Sequence, residues 1–306
     1  MIKIDNVPIY EDLSKEELQS KILKKYKIFK EDVEKFTIKG KSIDARDKRN
    51  VHYNYSFAIF VKDEKKYSHL KIVEEKKEEK IVCKRKSVYS PIIVGSGPAG
   101  LFCALTLVDC GYKPIILEQG SSVEERVRYV EEYKAIGKLN VLSNVQFGEG
   151  GAGTFSDGKL TTGIHSEYIK KVLDYFYQFG APEEILYLNK PHIGTDNLIE
   201  ILKNMRTYIE SKGGKYYFHT KFMDFFKEDG LLKVVTNALV LAIGHSARDT
   251  FKMLHAKCMD MKRKNFSVGV RIEHKQEMIN VAQYGTFTKL QLPPAEYKLA
   301  YHGKMR

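Results

Sequence analysis

Residues 95–100 read GSGPAG, the G-x-G-x-x-G spacing that lets a backbone wrap a pyrophosphate. Glycine is common in loops, so the context decides what the pattern means. Here an apolar strand over residues 91–94 leads into it and a helix over residues 101–110 leaves it. A second apolar strand over residues 114–117 ends on Glu118. Strand, glycine loop, helix, strand and terminal acid within about 30 residues form a dinucleotide-binding unit. In such a unit Gly95 turns the chain out of the strand, Gly97 leaves room for a phosphate, and Gly100 lets the helix lie close on the sheet. Ser96, Pro98 and Ala99 complete the loop, with Pro98 at a first-turn position that has no intrahelical N–H bond to lose. The unpaired N–H groups and positive dipole end of the helix favour the phosphate charge. Glu118 is placed to accept hydrogen bonds from a ribose, and its carboxylate would repel a 2′-phosphate, which disfavours NADP at this position. The unit alone does not separate FAD from NAD.

Two further stretches have candidate chemistry. Residues 147–160, FGEGGAGTFSDGKL, are dense enough in glycine for close backbone approach to a flat or phosphorylated ligand; a surface loop is the other reading. Gly150, Gly151, Ala152, Gly153, Thr154 and Lys159 are the candidate contacts there. Residues 237–250, NALVLAIGHSARDT, read as a buried strand that delivers Gly244. Arg126 is suited either to a phosphate or to a helix-surface salt bridge with Glu124 or Glu125. His192 and His245 are candidate proton donors, but no catalytic acid or base is assigned. The sequence has no His/Cys cluster with metal spacing, no G-x-S-x-G and no P-loop.

The elements that must position these residues fall into two parts. Residues 2–9 alternate like a strand, and Ser14 to Glu17 is a capping box that opens a helix. In residues 52–61, Tyr53, Tyr55, Phe57, Ile59 and Val61 share one side of a strand. This β-α-β-β order predicts a small α+β, ferredoxin-like domain over residues 1–80. The charged stretch at 73–87 is the expected boundary, and residues 88–306 are expected to form an α/β, Rossmann-type domain with a parallel sheet. Within it an inserted helical and β segment is expected over about residues 164–235. That segment holds a helix at 166–179, a helix from Thr195 with Leu198, Ile201, Leu202, Met205 and Ile209 on one stripe, and a hairpin with arms at 215–226 and 231–235.

Composition excludes several classes. Of the 306 residues 43% are hydrophobic, and no apolar run approaches the ~18 residues of a membrane span. The start of the chain lacks the pattern of a secretory signal, and the four cysteines form no C-x-x-C pair, so a cytoplasmic setting is expected. Cys103 and Cys110 read as small apolar fill on one helix face. The net charge of +12 is mostly lysine mixed with glutamate, as in residues 74–80, which argues for a solvated face rather than nucleic-acid binding.

Together these stretches resemble the uncharacterised bacterial FAD-dependent dehydrogenases of the two-dinucleotide-binding flavoprotein superfamily. The resemblance is carried by IIVGSGPAGLFCAL, VEERV, LNVLSNVQFGEGGAGTFSDGKLTTGI, GAPEEILYLNKPHIGTDNL, LVLAIGHSARDTF and VGVRIEH, and it includes KSIDARDK in the N-terminal part. It implies FAD with its pyrophosphate on residues 95–100, its ribose at Glu118, residues 150–159 beside the flavin and Gly244 closing over it. The implied activity is an FAD-dependent oxidoreductase of a small or lipidic substrate, with NAD(P)H as a candidate electron donor. Two alternatives stand beside it: a flavin-dependent tRNA-modifying protein, and a non-catalytic FAD-binding fragment. Relatives of this kind continue past the point where this chain stops, so a C-terminally incomplete site that holds FAD weakly is expected.

Overall fold

The structure is a computed structural model that describes residues 1–74, 89–156, 158–160, 162–228, 231–232, 236, 238–265, 269–270, 272–286 and 288–297. In chain order its strands are β1 (Ile2–Ile9), β2 (Val33–Asp44), β3 (His52–Val61), β4 (Ile92–Val94), β5 (Ile115–Leu117), β6 (Lys215–Tyr217), β7 (Lys227–Glu228), β8 (Leu231–Leu232) and β9 (Leu239–Leu241). Its α-helices are α1 (Lys15–Lys25), α2 (Pro98–Asp109), α3 (Val123–Ile136), α4 (Tyr168–Gln178), α5 (Thr195–Ser211), α6 (Arg248–Ala256) and α7 (Gln276–Tyr284). The chain divides into two compact units, one of residues 1–77, 187–189 and 265–306, the other of residues 78–186 and 190–264.

The first unit is built on a three-stranded sheet in the order β1-β3-β2, with β3 antiparallel to both neighbours. β1 and β2 therefore run parallel, joined by α1, with β3 inserted between them. This is the split β-α-β of ferredoxin-like folds. Ser14 caps α1 as expected: its hydroxyl accepts from the Glu17 N–H, and the Glu17 carboxylate accepts from the Ser14 N–H at 2.8 Å. The alternation in β3 places Tyr53, Tyr55, Phe57, Ile59 and Val61 in the core with Ile2, Ile4, Leu18 and Ile22. Leu290 packs in the same core. Residues 265–306, expected with the dinucleotide-binding fold, thus cluster with the first unit. The expected boundary at 73–87 lies largely outside the described residues.

The second unit holds an all-parallel sheet in the order β6-β5-β4-β9. Numbered by appearance within this sheet the order is 3-2-1-4, the Rossmann arrangement. The expected α/β fold is therefore present, with one correction. Residues 215–226 do not form a hairpin arm, because Lys215, Tyr216 and Tyr217 pair with Ile115, Ile116 and Leu117 as the third parallel strand. Backbone bonds from His219 to Gly120 (2.9 Å) and from Thr220 to Glu118 (2.8 Å) continue the contact past the strand end. The hairpin shrinks to β7 and β8, and its expected turn at Asp229 and Gly230 lies outside the described residues.

Helix α5 buries Ile201, Leu202, Met205 and Ile209 in a core shared with Leu101, Ala104, Leu105 and Val108 of α2 and Ile93 and Ile116 of the sheet. Each buried Ile, Leu, Val or Met side chain there contributes about 1.5–3 kcal/mol. This packing fixes α2, and with it the glycine loop, against the sheet. Cys103 lies against the same core as a free thiol. Among the described residues no helix is long and apolar enough to cross a membrane.

Candidate dinucleotide-binding site

A cleft of about 600 Å³ opens at the carboxyl edge of the parallel sheet, where open α/β sheets bind their ligands. The strand ends Val94, Leu117 and Leu241 form its floor, with Thr220 to Phe222 beyond β6 at one side. Three segments far apart in sequence meet there. They are Gly95, Gly97, Pro98 and Ala99; then Phe147, Gly148, Gly151 and Ala152; then Ala242, Ile243 and Gly244. The volume lies within the range of small-molecule and cofactor pockets.

The loop geometry follows from what a side chain would meet. Gly95 has φ +99°, and a Cβ there would stand 2.4 Å from the Ala242 carbonyl oxygen, so both conformation and space demand glycine. At Gly100 a Cβ would stand 1.9 Å from the Gly95 carbonyl oxygen, which shows how closely α2 lies on β4. Gly97 is different: its φ is −68°, and a Cβ would meet no protein atom nearer than the Gly151 Cα at 3.8 Å. Only the cleft lies before it. No side chain caps α2, and Pro98 occupies its first turn. The start of the helix therefore presents its dipole and backbone donors to the cleft, a cradle that fits the pyrophosphate of a dinucleotide.

Glu118 is 4% exposed and lines the cleft, but its carboxylate is already held. One oxygen accepts from Ser96 N (2.8 Å) and Ser96 Oγ (2.9 Å), the other from Gly120 N at 2.8 Å. An ionised carboxylate has about four acceptor positions, so a ribose hydroxyl would find the acid oriented and partly engaged. Ser96 itself is fully buried and holds the acid rather than facing the ligand. Across the cleft, Lys221 pairs with Asp249.

Several candidate residues lie elsewhere. Arg126 is fully buried and is not among the residues that line the cleft. Its guanidinium donates to the carbonyls of Asn144 (2.7 Å), Val145 (2.9 Å) and Glu149 (2.7 Å), and stacks 4.8 Å from the Phe155 ring. Loss of water pushes its pKa down to about 10 against the pull of Glu118 and Glu149. It is a clamp on the loop at 144–149. Gly150 packs on Thr154 and Leu202, and Thr154 is buried beside Arg126 at 3.4 Å. Gly153 is exposed, and Lys159 bridges to His192; neither lines the cleft, whereas Phe147 and Gly148 do. The glycine-rich stretch thus meets the cleft at its beginning, and Asp157 lies outside the described residues. Of the two histidines only His245 lines the cleft. Among the described residues no acidic, His or Cys group is arranged for a metal.

Sequence reasoning passed over Gln119, Thr220 to Phe222 and Glu149. Thr220 to Phe222 follow a strand that reads as a hairpin arm until its parallel partner is known. Glu149 stands between two glycines that drew attention away from it.

Comparison with known proteins bears on the same segments. Residues 90–142, from β4 through α3, match the family described as FAD binding domain. Residues 265–306 match a family described as FAD-dependent protein, C-terminal domain-like, and residues 1–60 match a domain of unknown function, DUF8436. An uncharacterized protein of Clostridium beijerinckii is 43% identical over 319 residues, which takes in 99% of this chain and 60% of that protein. The chain thus spans about three fifths of the length of the relative it matches. The alignment is longer than the 306 residues of this chain, so the relative holds internal residues that this chain lacks. The strand, glycine loop and helix that cradle the cleft therefore lie within the stretch that is similar to that FAD binding domain.

Proposed function

We propose that the cleft binds FAD and that the chain is the FAD-binding part of an oxidoreductase acting on a small or lipidic molecule, with NAD(P)H as the candidate electron donor. The observation that carries this reading is the convergence of three glycine-bearing segments on one cleft at the carboxyl edge of a 3-2-1-4 sheet, the first of them inside the stretch that matches the FAD binding domain. Bound flavin supplies hydride and electron chemistry. The start of α2 would hold the pyrophosphate, Glu118 a ribose hydroxyl, and Gly244 the opposite wall. His245 is the candidate proton donor.

Purified protein reconstituted with FAD, or separately with NAD, and then desalted tests the reading through the flavin absorption band. The wild type is expected to keep part of the FAD, in line with a weakly held cofactor. Glu118→Ala is expected to lower FAD affinity by about 1.5–3 kcal/mol, the worth of a hydrogen bond to a charged group. It should also lower the unfolding midpoint, since Ser96 and Gly120 lose their acceptor. Retention of NAD but not FAD contradicts the cofactor; unchanged FAD affinity in a folded Glu118→Ala variant removes the role of the acid.

A further inference from the structure

Behind the cleft lies a buried charge cluster that shares only Glu118 with the proposed cofactor contacts. Glu149 is fully buried, and its Oε2 accepts from the Val123 N–H that opens α3 (2.8 Å) and from Arg206 of α5 (2.9 Å). Its Oε1 is buried with no partner among the described residues. The groups around it come from four elements. α3 contributes Arg126 and Glu124, α5 contributes Arg206 with Glu210 beyond it, the end of β5 contributes Glu118, and β6 contributes Tyr216. Arg206 also pairs with Glu124, while Glu124 Oε2 and the Tyr216 hydroxyl are buried without partners among the described residues.

Two guanidinium groups thus face the three carboxylates Glu118, Glu124 and Glu149. One negative charge is in excess. Glu118 is held by three donors, and Glu124 keeps a side chain 40% exposed to water. Glu124 and Glu149 each keep one buried oxygen without a partner among the described residues, but Glu149 is fully buried while the Glu124 side chain reaches water, so the excess falls on Glu149, and an unpaired buried charge is costly. A proton on Oε1 removes it. Burial pushes the Glu149 carboxyl up to about 7, with Glu124 and Glu118 adding to the rise and Arg206 opposing it.

The main chain of Glu149 connects this cluster to the cleft. Its N–H donates to the Ser121 carbonyl (3.1 Å), its carbonyl accepts from Arg126, and the next N–H, of Gly150, donates to the Ser96 carbonyl at 2.9 Å. Gly148 and Gly151, on either side, line the cleft.

We propose that Glu149 is a positioning residue of the dinucleotide cleft that acts in its protonated form: with the proton it holds residues 148–152 against Ser96, and without it that wall loosens and binding weakens. The binding half of this proposal rests on the FAD reading above; the proton itself does not. A carboxyl whose folded pKa lies above its ordinary value of 4.5 binds more protons folded than unfolded. Stability therefore falls as pH rises from that value through about 7 and levels off above it.

The test compares wild type with Glu149→Gln, which keeps shape and removes the titration. Unfolding midpoints without ligand are measured between about pH 5.5 and pH 8.5, and FAD affinity is measured over the same range. The wild-type midpoint is expected to fall relative to the variant as pH rises. Wild-type FAD affinity is expected to drop about tenfold across the range, within the span of typical coupling energies, while the variant stays flat. Parallel pH profiles in the two proteins overturn the proposal. If Glu149→Gln does not fold, infrared difference spectra of the wild type read the protonated buried carboxyl directly, and its absence at the acid end overturns the proposal. If the wild type binds no FAD at any pH, the FAD reading and the coupling both fall, and the midpoint comparison alone decides the proton.

Discussion

Replacing Arg126 with Met is expected to destabilise the protein by about 3–5 kcal/mol. Three carbonyls of the 144–149 loop would lose their charged donor, and each buried polar group left unsatisfied costs about 1–3 kcal/mol. Gly148, part of the cleft wall, lies against the Arg126 side chain, where even an added Cβ would come within 2.6 Å of its Cδ. Loss of the clamp should therefore disturb the cleft as well as the core. Denaturant unfolding of the ligand-free variant checks this. A variant as stable as the wild type but deficient in binding would return Arg126 to the role of phosphate ligand and contradict the clamp.

The second large effect separates two glycines only three residues apart. Gly100→Ala would place a Cβ 1.9 Å from the Gly95 carbonyl oxygen and 3.3 Å from Ile93 Cγ2. α2 would have to move off β4, at a cost of about 3 kcal/mol or more. Gly97→Ala meets no such obstacle. As a helix cap, alanine for glycine should cost about 1 kcal/mol or less, while its methyl group enters the cradle and lowers FAD affinity about tenfold or more, equivalent to about 1.4 kcal/mol. Thermal unfolding and FAD titration of the two variants side by side measure the contrast. Equal loss of stability in both, or undiminished FAD binding by Gly97→Ala, would show that the cradle is only a packing feature.

The parts of this structure that could be read in the sequence are those governed by local period or by glycine geometry. β3 alternates strictly along its core face, α5 repeats its apolar residues every three or four positions, and the GSGPAG loop sits between an apolar strand and a helix. Each rule acts within a few residues, so each leaves a trace in a short window. β6 left no such trace. Its KYY is one short piece of a longer aromatic stretch, and whether it joins β5 or folds back as a hairpin depends on a partner about 100 residues away. Arg126 was misleading for a related reason: amid the charges of α3 it has the pattern of a solvated face, and its partners are carbonyls of an irregular loop. Carbonyl partners have no residue type to read. Glu149 could be recognised only after α3, α5 and β6 had been brought around it. The grouping of residues 265–306 with the first unit rests on tertiary packing, of which Leu290 in that core is one part.

The central claim is that the cleft at the ends of β4, β5 and β9 is a dinucleotide site built for FAD. A crystal structure of the protein grown with FAD tests it most directly. The account predicts the pyrophosphate within hydrogen-bond distance of the backbone N–H groups at the start of α2, with Gly97 facing it and a ribose hydroxyl at Glu118. Density for FAD against any other face, or a pyrophosphate out of reach of residues 97–100, would contradict it.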